Sequence, residues 1–84
     1  MTVTGTLYWD TTIQDCEGWL VHSNAVLDGA PCIPSPEFYY TKADADLGEL
    51  TALIETTLRW EGLEGEVFQL VEHGSTYQWT ANIL

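Results

Sequence analysis

The sequence predicts a two-layer α+β domain: an antiparallel sheet of about five strands, in the order β-β-β-α-β-β, packed on one amphipathic helix. Three observations carry that reading. Residues 2–10 alternate apolar and polar side chains, residues 75–84 do the same, and between them Leu47, Leu50, Ile54 and Leu58 recur at helical spacing. One helix with a single apolar stripe covers one face of an antiparallel sheet and leaves the other face in water. At 84 residues the chain has room for one hydrophobic core, so residues 1–84 are read as a single domain.

In the first strand Val3, Leu7 and Trp9 share one face, while Thr2, Thr4, Thr6 and Tyr8 share the other. Turn chemistry over Asp10-Thr11-Thr12 and Gln14-Asp15 leads into Gly18–Ser23, a second strand antiparallel to the first. From Asn24 to Pro36 the expectation is mostly loop, because Asp28-Gly29 is a turn dipeptide and Pro31, Pro34 and Pro36 oppose both helix and central strand. Glu37-Phe38-Tyr39-Tyr40-Thr41 has the aromatic content of a short third strand.

The helix is placed between Ala43 and Glu61, with Leu53 and Trp60 flanking its apolar side. Asp44 or Asp46 serves as the N-cap, and Asp46 with Glu49 three residues later resembles a capping box. Glu55 and Arg59 stand four apart with the acid first, a pairing that adds about 0.2–0.5 kcal/mol to a helix. Gly62 ends it and Leu63 folds back. Glu66–Glu72 and Ser75–Leu84 then make two strands joined by a short hairpin, with Tyr77, Trp79, Ala81 and Ile83 on the buried face of the last.

Composition narrows the function. With 45% hydrophobic residues the chain can bury enough apolar surface to fold, and no stretch reaches membrane-spanning length. Thirteen Asp and Glu face only Lys42 and Arg59, a formal charge of −11, which argues against direct binding to nucleic acid or to an anionic membrane. The start lacks a secretory signal, so the expected compartment is the cytoplasm of a host cell and Cys16 and Cys32 are expected as free thiols.

Motifs of catalysis and cofactor binding do not emerge. Ser23, Ser35 and Ser75 lie in no nucleophile-elbow setting, and Cys16, His22, Cys32 and His73 are spaced C-x15-C and H-x50-H, unlike the close pairs of structural zinc. Asp44, Asp46 and Glu55 fall at positions 1, 3 and 12 of a calcium loop, yet Glu49 occupies the position that needs glycine, and the helical periodicity runs straight through. Gly62-Leu63-Glu64-Gly65 lacks the lysine and the length of a phosphate cradle. The expectation is a protein that is no enzyme and holds neither cofactor nor metal.

The acidity remains. Asp15/Glu17, Asp44/Asp46 and Glu64/Glu66 each stand two residues apart, so extended backbone projects each pair to one side about 6.7 Å apart. Surface scaling gives a chain of this mass about 450 Å² per net charge, against about 110 Å² per phosphate on a duplex treated as a cylinder. Passing for nucleic acid therefore needs about half the carboxylates on one flank.

In length, acidity and lack of a catalytic motif, the whole chain resembles the small inhibitors of phages and mobile elements, among them anti-CRISPR and DNA-mimic antirestriction proteins. The resemblance implies a stoichiometric binder that occupies a basic surface of a nucleic-acid-binding protein or nucleoprotein complex, such as a CRISPR effector subunit. On this reading the partner-facing residues are Asp15, Glu17, Asp44, Asp46, Glu49, Glu55, Glu61, Glu64 and Glu66, with Trp60 or Tyr39 as the aromatic anchor. Two other classes fit the same composition: an immunity or antitoxin protein against a basic nuclease toxin, and a small structural or adaptor subunit whose β-surfaces self-associate, for instance as a homodimer.

Overall fold

The computed structural model describes residues 1–10, 18–33, 37–39 and 45–84. Its elements are β1 (Thr2–Asp10), β2 (Gly18–His22), β3 (Val26–Leu27), β4 (Ala30–Pro31), β5 (Glu37–Tyr39), α1 (Leu47–Trp60), β6 (Gly65–His73) and β7 (Thr76–Ile83). Five of the strands form one antiparallel sheet in the order β5-β2-β1-β7-β6, and β3 and β4 form a separate two-stranded ribbon. The expected α+β class is what the chain adopts. Since β5 and β6 lie at opposite edges, the chain crosses the sheet between them through α1.

The register explains which face is buried. Leu7 pairs with Val21 and Tyr77, Trp9 with Trp19, and Val3 with Ala81, so the apolar positions of β1, β2 and β7 fall on the same side. Leu50, Ile54 and Leu58 of α1, all fully buried, close over that side with Trp79. Trp9, Trp19 and Tyr77 meet edge to face, with ring centroids 5.5 Å and 6.0 Å apart along the series. Trp79 lies over Gly5, where a β-carbon would run into the indole and into the His22 carbonyl oxygen. Its indole N–H donates to the Thr6 carbonyl at 3.3 Å, so this buried donor is satisfied.

Helix termini follow the sequence signals. Asp46 Oδ1 accepts from the Glu49 amide at 2.8 Å, the N-cap half of the anticipated box. At the other end Gly62 adopts φ +81°, the Gly62 amide donates to the Arg59 carbonyl at 3.0 Å and the Leu63 amide to the Leu58 carbonyl at 2.9 Å. That pair of bonds is a Schellman motif, which turns Leu63 back against the core.

Two expectations need correction, those for the ends of the apolar stripe and for Glu55, and two elements add detail to the expected fold. The described segment 24–33 is mostly loop and turn as expected, with a short ribbon added: Asp28 and Gly29, at φ 51° and 83°, form the expected turn and join β3 to β4 in a two-residue hairpin. Pro31 fits there because the Val26 and Pro31 pair is the non-hydrogen-bonded one, the ladder continuing from the Cys32 amide to the Ala25 carbonyl at 2.8 Å. Leu47 and Trp60, read as belonging to the apolar side of the helix, are 56% and 63% exposed, so the buried stripe is confined to the middle of the helix at Leu50, Ile54 and Leu58. Trp19, Leu20 and Val21 are all buried, so β2 does not alternate; it lies between β1 and β5, with Leu20 in register with Tyr8 and Phe38. Finally, Glu55 does not close an ion pair with Arg59; its carboxylate turns to the sheet instead.

Candidate functional site

Nine of the thirteen acids have described side chains, and their distribution is uneven. Glu55, Glu61 and Glu64 lie where the C-terminal end of α1 meets the start of β6, and Glu66, in register with Asn82, follows on β6 on the face away from the helix. Glu61 is the C-cap of the helix, and Glu55, Arg59 and Glu64 border one recess of about 180 Å³. The Glu55 carboxylate accepts from the Val67 amide at 3.0 Å, fastening helix to strand. Leu84 donates its amide to the Glu64 carbonyl at 2.8 Å, which carries the β6–β7 ladder one pair beyond Gly65. Glu64 and Glu66 are therefore held on extended backbone, the condition under which their spacing projects both to one side. Both are exposed, as are Trp60 and Arg59 at the same end of the helix.

The other nominated residues are apart from this group. Asp46 and Glu49 sit at the opposite end of α1, about 20 Å away at 1.5 Å per residue. Asp46 is engaged as the cap. Asp15, Glu17 and Asp44 lie outside the described residues, as do Cys16, Lys42 and the Tyr40-Thr41 end of the third predicted strand. Cys32 is a free thiol, buried, with its Sγ 3.4 Å from Ser23 Oγ.

Two features went unnoticed in the sequence. The sheet face away from the helix carries Thr4, Thr6, His22, Gln69, Gln78 and Thr80 around a concavity of about 350 Å³. Their alternation was visible in β1 and β7, but the bulge that reverses the phase of β6 after Val67 was not. The second feature is Phe68 at that bulge, 62% exposed, and Val71 beyond it, 45% exposed. A run such as Val67-Phe68-Gln69-Leu70-Val71 gives no sign of where an extra residue will be inserted.

Spread over the whole surface, 5086 Å² shared by 11 net charges is about 460 Å² per charge, close to the value from scaling. A field above that average requires local grouping, such as that of Glu55 and Glu64 about the recess at the α1–β6 junction. Among the described residues no cluster of three or more His, Cys, Asp or Glu is placed to hold a metal ion, and no helix is long and apolar enough to cross a membrane. Comparison with protein families, with curated proteins and with solved structures finds no match.

Proposed function

We propose that the chain is a non-catalytic, acidic binding protein that inhibits a nucleic-acid-binding complex in the host cytoplasm by seating its α1–β6 flank on a basic surface. What supports this reading is that Glu55 and Glu64 border one recess, that Glu61 and Glu66 stand close to it in the chain, and that Trp60 is exposed at the same end of the helix. Carboxylates steer the encounter with a surface of Lys and Arg, while an aromatic side chain at the same end supplies apolar area that slows dissociation. Arg59 is the cation within the group and offsets one of its charges, which leaves a net negative flank.

Charge reversal in separate blocks tests the reading, with the binding protein recovered from host lysate as the partner. Glu61, Glu64 and Glu66 changed together to Lys abolish binding and release the partner's nucleic acid site; Asp46 and Glu49 changed to Lys leave binding largely intact. Added salt weakens the wild-type complex steeply. A complex that ignores salt, or that leaves nucleic acid bound to the partner, would sink the proposal.

A further inference from the structure

We infer that β6 takes up an extended basic segment of the partner as a sixth strand, along the stretch Gln69–His73; this rests on the function just proposed and specifies how the partner is held. Among the described residues β6 is the outermost strand, paired with β7 on one side only. The two-residue loop Gly74-Ser75 makes His73 and Thr76 a hydrogen-bonded pair, and alternation from there commits Val71 and Gln69 to β7 as well. Leu70 and Glu72 consequently turn their N–H and C=O groups outward. The same phase on the other side of the bulge turns Val67 outward, where its amide is taken by Glu55.

Edge strands are ordinarily protected by bulges, charges or a covering element. Here the bulge at Phe68 and the Glu55 clasp guard the first half of β6, and the second half is guarded only by the charge of Glu72. Among the described residues no hydrogen bond reaches the outward groups of Leu70 or Glu72. The open stretch also has side-chain features that suit an added strand. Phe68 is exposed just before it and Val71 at its middle, and Gln69 and Val71 form one wall of the 350 Å³ concavity. A strand laid beside them directs alternate side chains toward the rim of that concavity.

Charge selects the occupant. Glu66 precedes the stretch and Glu72 lies within it, and the uncovered face carries neither Lys nor Arg among the described residues. A second copy brings a further −11 and sets its own Glu72 against this strand, whereas a segment with alternate Lys or Arg is complementary.

The test uses the full chain and three synthetic seven-residue peptides: alternating Lys and Val, the same peptide with its internal amides N-methylated, and alternating Thr and Val. Binding is followed by titration and by amide exchange read residue by residue. The Lys/Val peptide slows exchange at Leu70 and Glu72 about tenfold or more, and N-methylation weakens its binding about tenfold or more. Equal binding of the N-methylated peptide with unchanged exchange overturns strand addition while leaving charge-driven docking in place. Equal, salt-insensitive binding of the Thr/Val peptide shows that the edge is used but that a basic partner is the wrong chemistry, so the underlying function fails. Protection that grows with protein concentration and no peptide makes a second copy the occupant and overturns the inference, as does failure of all three peptides to bind.

Discussion

The Glu55 carboxylate of α1 accepts the Val67 amide of β6 at 3.0 Å, so a helix side chain closes one of the outward hydrogen-bonding sites of an edge strand. Twelve residues separate the two, and the bond joins the layers at the acidic junction. It also uses Glu55 in place of the expected pairing with Arg59. A hydrogen bond to an ionised group contributes up to about 3 kcal/mol when buried. Glu55 is half-buried, so Glu55→Ala is expected to cost about 1 kcal/mol by urea denaturation, with Glu55→Gln, which keeps a carbonyl acceptor, losing less. Exchange of the Val67 amide accelerates in the Ala variant ahead of its neighbours; an unchanged Val67 rate would show that the bond does not protect the edge.

Gly5 sits beneath Trp79, with the His22 carbonyl on its other side. Backbone cannot withdraw as a flexible side-chain end can, and the indole is itself held by Thr6. Gly5→Ala is therefore expected to destabilise by about 3 kcal/mol, at the upper end of overpacking penalties. Near-ultraviolet circular dichroism of the tryptophans should change in parallel. If alanine is accommodated with both signals intact, the close packing of Trp79 on β1 is wrong.

Ser23 is almost fully buried, and its hydroxyl is fully engaged. Its hydroxyl donates to the Thr4 carbonyl and accepts from the Ala25 amide at 3.2 Å and from the Cys32 thiol. It ties β1 to the turn that carries the β3–β4 ribbon over the end of the core. Ser23→Ala strands the Thr4 carbonyl and the Ala25 amide at once, for a loss of about 1–3 kcal/mol in thermal or chemical unfolding. Ser23→Cys, which can still donate weakly, is expected to recover part of it.

Legibility from sequence followed the strength of the local signal. The alternation of β1 and β7, the Leu50, Ile54 and Leu58 stripe, the Asp46 cap and the Gly62 stop were readable because each depends on residues within one or two turns of each other. Thr57 is a core residue with no signal in the pattern: it lies on the buried face and its hydroxyl donates to the Leu53 carbonyl at 2.9 Å, a bond that composition does not reveal. The bulge at Phe68, the Ser23 node and the strand order β5-β2-β1-β7-β6 depend on partners distant in the chain. The acidic site was half legible. The Glu64/Glu66 pair was singled out by spacing, but that Glu55 joins it while Asp46 and Glu49 do not follows only from where α1 begins and ends.

Salt should act on this protein with opposite signs in folding and in binding. Thirteen carboxylates against two cations repel one another, and bringing Glu55, Glu61 and Glu64 to one junction raises that cost in the folded chain more than in an expanded one. Screening shortens the range of the repulsion from about 30 Å at 0.01 M salt to about 8 Å at 0.15 M, so stability of the free protein is expected to rise with sodium chloride over that interval. A gain of about 1 kcal/mol corresponds to a midpoint about 4–8 °C higher for a domain of this size. Neutralising Glu61, Glu64 and Glu66 to Gln should raise the midpoint at low salt and shrink its salt dependence, which separates charge repulsion from a general salting-out of apolar surface. The same screening weakens attraction to a basic partner. If the free protein shows no salt-dependent gain, or if the Gln variant shows the same gain as wild type, the carboxylates are too far apart to generate the field on which docking at the α1–β6 flank depends.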